Sequence, residues 1–135
     1  MRPELINPQA LAYLGDAVFE VLVREYLLID CNITKTDDLQ KAAVKYVSAQ
    51  AQADFMRYAI DKGLLAEEEI VIFKRGRNSK GRRSVKNVSA HNQSTGFEAL
   101  IGHLYLQNNQ ERIKKLFKLY NEHVEFVSFV ANTRE

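Results

Sequence analysis

With a single cysteine, Cys31, in 135 residues, the chain can form no internal disulfide, which fits a reducing compartment. No apolar run approaches the ~20 residues needed to cross a bilayer. The opening stretch MRPELINPQA has no apolar centre of the kind found in a secretory leader. There is no internal repeat and no low-complexity tail. These absences exclude a disulfide-stapled scaffold and a helical membrane protein, and a cytoplasmic protein with no membrane partner is expected. Hydrophobic residues at 46% and charged residues at 27% are ordinary for a globular chain. The length suits one domain, expected to span residues 1–135, with a modest core.

Acidic residues are missing from one stretch. Residues 74–86, KRGRNSKGRRSVK, hold seven Lys/Arg and no Asp or Glu. The rest of the chain has 12 Lys/Arg against 17 Asp/Glu, so the overall charge of +2 is the sum of one strongly basic element and an acidic remainder. Positive charge concentrated in this way suggests that a single element contacts a polyanion.

The pattern along the chain is helical. Asn7 followed by Pro8 is a helix start, and from there to about Leu28 the only breaker is Gly15. Leu11, Leu14, Val18, Val21 and Leu28 form one stripe, with Ala12, Phe19 and Val23 on the other side, around Asp16; a helix apolar nearly all round is expected to be buried. Asp37 with Gln40 resembles a capping box. Further helices are expected through LQKAAVKYV and, after a cap at Ser48, through AQAQADFMRYAIDK to a stop at Gly63. AEEEIVIFKRG reads as a short helix with acids first and bases last, although Ile70–Phe73 could instead be a strand. Residues 75–92, rich in Gly, Ser, Asn and base, read as a loop. Helices are then expected from about Gln93 to Leu106 and from near Asn109 toward Val130. The fold class expected is all-α, with six or seven helices.

Two carboxylates stand out because they lie inside the most apolar helices: Asp16 in ALAYLGDAVFEVLVREYL and Glu98 in TGFEALIGHLYL. Glu20, one turn after Asp16, can pair with Arg24. Glu98 shares a helix face with Gly102, where a missing side chain lets another helix or a ligand come close. A buried ionised carboxylate is costly unless it is paired or metal-bound. Two of them on neighbouring helices would suit a hard divalent cation. The residues alone leave two readings open, partnered acids at a solvated edge or cation ligands. The histidines His91, His103 and His123 show no metal-ligand spacing, though His91 is near enough to Glu98 in sequence to approach the same site. Ser94 and Thr95 read as helix caps and Cys31 as inert.

LAYLGDAVFEVLVREYL resembles the signature helix of the ribonuclease III family, and GFEALIGHLYL resembles that family's second acidic helix. KYVSAQAQA and FKRGRN are similar to the Mini-III subgroup, a catalytic domain that stands without a double-stranded-RNA-binding domain. The resemblance covers essentially the whole chain. It implies a homodimeric endonuclease that uses Mg²⁺, with Mn²⁺ as an alternative, to hydrolyse both strands of duplex RNA, leaving 5′-phosphates, 3′-hydroxyls and a short 3′ overhang. It places the catalytic and metal-ligating roles on Asp16 and Glu98. The larger enzymes carry two more carboxylates, where this chain has Ala12 and Thr95, which implies a more hydrated or singly occupied metal site.

By the same resemblance the substrate is precursor large-subunit (23S) ribosomal RNA, with a ribosomal protein as a further partner that presents it. Arg75, Arg77, Lys80, Arg82, Arg83 and Lys86 are the expected RNA-binding cations, standing in the basic loop at about 74–92 that precedes the Glu98 helix. Tyr13 is the expected dimer contact, since cutting both strands needs two sites related by a two-fold axis. Two alternatives compete: a non-catalytic RNA-binding or ribosome-associated protein that keeps the fold, and a generic helical interaction module.

Overall fold

The computed structural model describes residues 2–79 and 88–133, with Val88 described by its backbone alone. Among these residues there are six α-helices and no strand: α1 (Pro8–Glu25), α2 (Thr36–Val47), α3 (Ala49–Asp61), α4 (Glu67–Arg77), α5 (Val88–Leu106) and α6 (Gln110–Thr133). A short 3₁₀ turn, Pro3–Leu5, precedes α1, and a π-helical turn, Tyr26–Asp30, continues it. The all-α expectation holds.

Local chemistry explains most of the boundaries. The Asn7 side chain accepts a bond from the Gln9 N–H at 2.7 Å, and Ser48 accepts one from the Ala51 N–H at 3.1 Å. Gly63 adopts φ of +67°, and the Leu64 N–H returns to the Ala59 carbonyl, which closes α3. At α2 the expected capping box is absent. The helix starts earlier, at Thr36, with Lys35 in the cap position, so Asp37 and Asp38 lie in the first turn, where free N–H groups favour acids. Ile70–Phe73 is helical and not a strand, and α4 continues to Arg77. α5 begins at Val88, before the expected Gln93. The stretch read as a loop from 75 to 92 therefore belongs in part to two helices.

α5 is the central element. It packs against α1 most extensively, and against α4 and α3. Phe97, Ala99, Leu100, Ile101 and Leu104 are all buried. The expectation for α1 needs correction. Its buried residues are Leu11, Ala12, Gly15, Phe19 and Val23, whereas Val21 is 64% exposed and Leu28, in the π-helical turn beyond it, is also exposed. Glycine decides which face turns inward, because α5 fits closely only over Gly15. Beneath that contact, Phe19 meets Phe97 and Tyr120 edge-on, with ring centroids 5.1 and 4.9 Å away. Each such pair adds about 0.5–1.5 kcal/mol beyond burial. The Tyr120 hydroxyl donates to the Tyr46 carbonyl, which satisfies it in the core and ties α6 to α2.

An ion pair joins the start of α4 to the start of α6. Arg112 donates to both Glu69 carboxylate oxygens at 2.7 Å and to the Leu64 carbonyl at 2.8 Å. Burial alone would raise the Glu69 pKa, but the bonds from Arg112 and from the Ala66 N–H outweigh it and hold the carboxyl below its usual value. A carboxylate lowered on folding stabilises the fold above its unfolded pKa, and that stability is lost as pH falls through the folded value. Arg112→Ala is therefore expected to cost about 2–3 kcal/mol at neutral pH. The difference from the parent should shrink below about pH 4, where glutamate protonates. Denaturant midpoints across that range check this; a pH-independent difference would contradict it.

Candidate active site

Two helices that touch backbone to backbone build the site. A Cβ added at Gly15 would stand 1.8 Å from the Glu98 carbonyl oxygen, and one at Gly102 would stand 2.1 Å from the Leu11 carbonyl oxygen. The absence of side chains at both positions lets α1 and α5 cross in contact. The partner that Gly102 admits is thus a helix. Asp16 follows Gly15 on one side of the crossing, and Glu98 belongs to the backbone that Gly15 meets on the other.

Beside this crossing lies a cleft of about 220 Å³, lined by Gln9, Ala12, Tyr13, Asp16, His91, Ser94, Thr95 and Glu98. Asp16 is exposed and Glu98 half-buried, so a solvated ligand can reach both walls. Glu20 does not join them. It pairs with Arg24, as expected, at 3.2 Å, and lines a separate groove with Leu27, Leu28 and Val44. Ala12 and Thr95 are buried in the cleft wall.

Ser94 and Thr95 are not caps, because α5 starts well before them. Ser94 donates to the buried Gln52 at 2.6 Å, and Thr95 donates to the His91 carbonyl at 3.1 Å. Both bonds hold the stretch of α5 that leads to Glu98. His91 lines the cleft, as its place in the sequence suggested. The other histidines are elsewhere. His103 is buried with Nδ1 unpartnered, and His123 stacks on Tyr58 with centroids 4.3 Å apart. Burial pushes the pKa of each below the usual histidine value. Gln9 is the lining residue that sequence reasoning missed, since a glutamine in a first helical turn carries no distinguishing signal.

Among the described residues, no three His, Cys, Asp or Glu side chains gather in a way that could hold a metal ion. The cleft lining offers two carboxylates, three hydroxyls and the Gln9 amide oxygen, all hard oxygen donors. Mg²⁺ commonly takes one or two carboxylates, keeps several waters and completes its shell with substrate phosphates. The donor set fits such an ion.

Of the expected RNA-binding cations, Arg75 and Arg77 lie in the last turn of α4. Arg75 donates to the Glu4 carbonyl at 3.2 Å, and Arg77 donates to the Asn78 side chain at 3.1 Å. Lys80, Arg82, Arg83 and Lys86 lie outside the described residues. Tyr13 is 86% exposed at the rim of the cleft. No helix among the described residues is long and apolar enough to cross a membrane.

Comparison with known proteins bears on this arrangement. The ribonuclease III domain model matches residues 9–109. The chain is 46% identical to a Mini-ribonuclease 3 of Clostridium tetani over 84% of its own length and 76% of the relative's. It is 43% identical to a Mini-ribonuclease 3 of Enterococcus faecalis over 82% and 85%. A crystal structure of a protein from Fusobacterium nucleatum superposes with a TM-score of 0.75 at 32% identity, covering 88% of this chain and 94% of that one.

Proposed function

The chain belongs to the ribonuclease III family, and from that premise we propose that it is an endoribonuclease that hydrolyses duplex RNA at the Asp16–Glu98 cleft. The observation that carries the reading is that α1 and α5, crossing at Gly15 and Gly102, bring both carboxylates to one open cleft. Asp16 and Glu98 would hold Mg²⁺ or Mn²⁺, directly or through water. Such an ion, when bound, supplies charge neutralisation at the phosphate and lowers the pKa of a coordinated water. The chain's own contribution is placement. The Ser94–Gln52 and Thr95–His91 bonds fix the α5 backbone ahead of Glu98, and the glycine contact fixes Asp16 against it.

The finer parts of the proposal rest on the same premise. Arg75, Arg77, Lys80, Arg82, Arg83 and Lys86 neutralise phosphates of a duplex recognised by shape and backbone. Two copies of this single domain pair across α1 and the turn that continues it, where Tyr13, Val21 and Leu28 leave apolar surface uncovered, so that two clefts cut opposite strands. Tyr13→Asp should yield monomers by sedimentation without loss of helix content. The substrate is precursor large-subunit ribosomal RNA in the cytoplasm, presented with a ribosomal protein.

The test is incubation of the purified protein with long duplex RNA, with and without Mg²⁺, beside single-stranded RNA of the same sequence. Metal-dependent cleavage of the duplex alone, leaving 5′-phosphates, is the expected result. A protein that binds the duplex and never cuts it would favour the non-catalytic RNA-binding reading, which the neutral Ala12 and Thr95 already support.

A further inference from the structure

The site described above leaves Gln9 unexplained. Its side chain lines the cleft together with Asp16 and Glu98, yet Gln9 Nε2 donates to the carbonyl of Ser79 at 2.9 Å, seventy residues away. Ser79 closes the carboxyl-terminal end of α4. Its hydroxyl donates to the Gly76 carbonyl at 2.7 Å, and its N–H donates to the same oxygen at 3.2 Å. Gly76 in turn presses on α5, where an added Cβ would stand 2.8 Å from both Gly96 Cα and Ala99 Cβ. A second tie runs parallel to the first, from the Arg75 guanidinium to the Glu4 carbonyl in the 3₁₀ turn before α1. The last turn of α4 is therefore held on two sides, by the packing of Gly76 against α5 and by two side-chain bonds to the amino-terminal end of α1 and its approach. That turn carries Lys74, Arg75 and Arg77.

Glutamine suits this task. A capped first turn fixes its backbone. Its amide supplies a donor to a carbonyl without adding a charge beside a cleft that already holds two carboxylates. A glutamate there would repel the Ser79 carbonyl, and a lysine would keep the donor to it but add a charge beside the cleft.

We propose that Gln9 is a positioning residue for RNA, locking the basic end of α4 to the wall of the Asp16–Glu98 cleft so that its cations meet the phosphate backbone in register with the carboxylates. This rests on the function proposed above. The bond itself contacts no reacting atom, so its loss should appear in substrate capture and not in the chemical step.

Gln9→Met keeps the side-chain volume and removes the donor. Gln9→Lys keeps a donor that can reach the same carbonyl. Hydrogen exchange of the peptide spanning residues 73–79 is expected to quicken by at least about threefold in Gln9→Met and to return toward the parent rate in Gln9→Lys, with thermal midpoints of all three within a degree or two. In duplex-RNA cleavage, Gln9→Met should raise KM by roughly three- to tenfold with kcat within about twofold of the parent. Unchanged exchange would show that the bond does not hold α4. Faster exchange with an unchanged KM would show that holding α4 does not serve RNA, and a fall in kcat at constant KM would make Gln9 part of the chemistry. Each of these overturns the proposal while the parent still cuts. A parent that cuts no duplex RNA under any metal overturns the functional reading and this role with it, and the exchange data then report only on the anchor.

Discussion

Asp16→Asn is expected to lower duplex-RNA cleavage by about 10³-fold, the scale on which a single preorganised electrostatic group acts in a transition state, with Glu98→Gln close behind. Both substitutions are isosteric and remove only a charge. Asp16 is exposed and Glu98 half-buried, so neither change should disturb the fold by more than a fraction of a kcal/mol at Asp16 or about 1 kcal/mol at Glu98. RNA binding measured without divalent metal should hold or tighten, because each variant removes a negative charge facing phosphates. The double variant should be little worse than either single one if both residues serve one ion, since groups acting as a unit are strongly non-additive. Single-turnover cleavage and metal-free RNA binding, measured on the same preparations, separate these effects. Parent-like cleavage by Asp16→Asn would remove the site from this cleft altogether.

How far this site could be read in advance differed from residue to residue. Asp16 and Glu98 drew notice as carboxylates within apolar helices, but the residues alone left two readings open and only the resemblance to the ribonuclease III family chose between them; Asp16 is exposed and so does not contradict its surroundings. The caps at Asn7 and Ser48 were legible because each acts on a backbone N–H two or three residues away. The inward face of α1 was not. Apolar residues surround that helix, so periodicity could not choose between faces. The choice fell to Gly15 and Gly102, small residues 87 positions apart that permit one crossing and no other.

The start of α5 was misread for a related reason. Ser89, His91 and Asn92 resemble loop residues by composition, but His91 lines the cleft, and packing in the following turns holds the whole segment helical. Gln9 carried no signal, because its partner is a main-chain carbonyl that no residue type announces. What depends on one element could be read from the sequence, and what depends on two elements meeting needed the fold.

The meeting of α1 and α5 yields the other large effect. Alanine is the better helix former, and by intrinsic propensity alone Gly15→Ala would stabilise α1 by about 0.5–1 kcal/mol. The expected result has the opposite sign. The new methyl would stand 1.8 Å from the Glu98 carbonyl oxygen, 2.7 Å from the Glu98 carbonyl carbon and 2.8 Å from the Gly102 nitrogen. All three are backbone atoms, so no side chain can rotate out of the way. The helices must separate, and that loosens Phe19 against Phe97 along the same interface. Overpacking usually costs about 1–3 kcal/mol and more where the neighbours are rigid, which here exceeds the propensity gain severalfold. A net loss of about 3 kcal/mol is expected, large against the stability of a small domain. The separation also moves Asp16 away from Glu98. Cleavage should therefore fall by more than the unfolded fraction explains, under conditions where the variant is still mostly folded. Denaturant unfolding of Gly15→Ala beside Gly63→Ala checks the first point, because Gly63 has open space within 4 Å and only its φ of +67° to strain an alanine. Activity per folded molecule checks the second. A Gly15→Ala protein as stable as its parent would mean that α1 and α5 do not cross here, and the case for a shared carboxylate site would go with it.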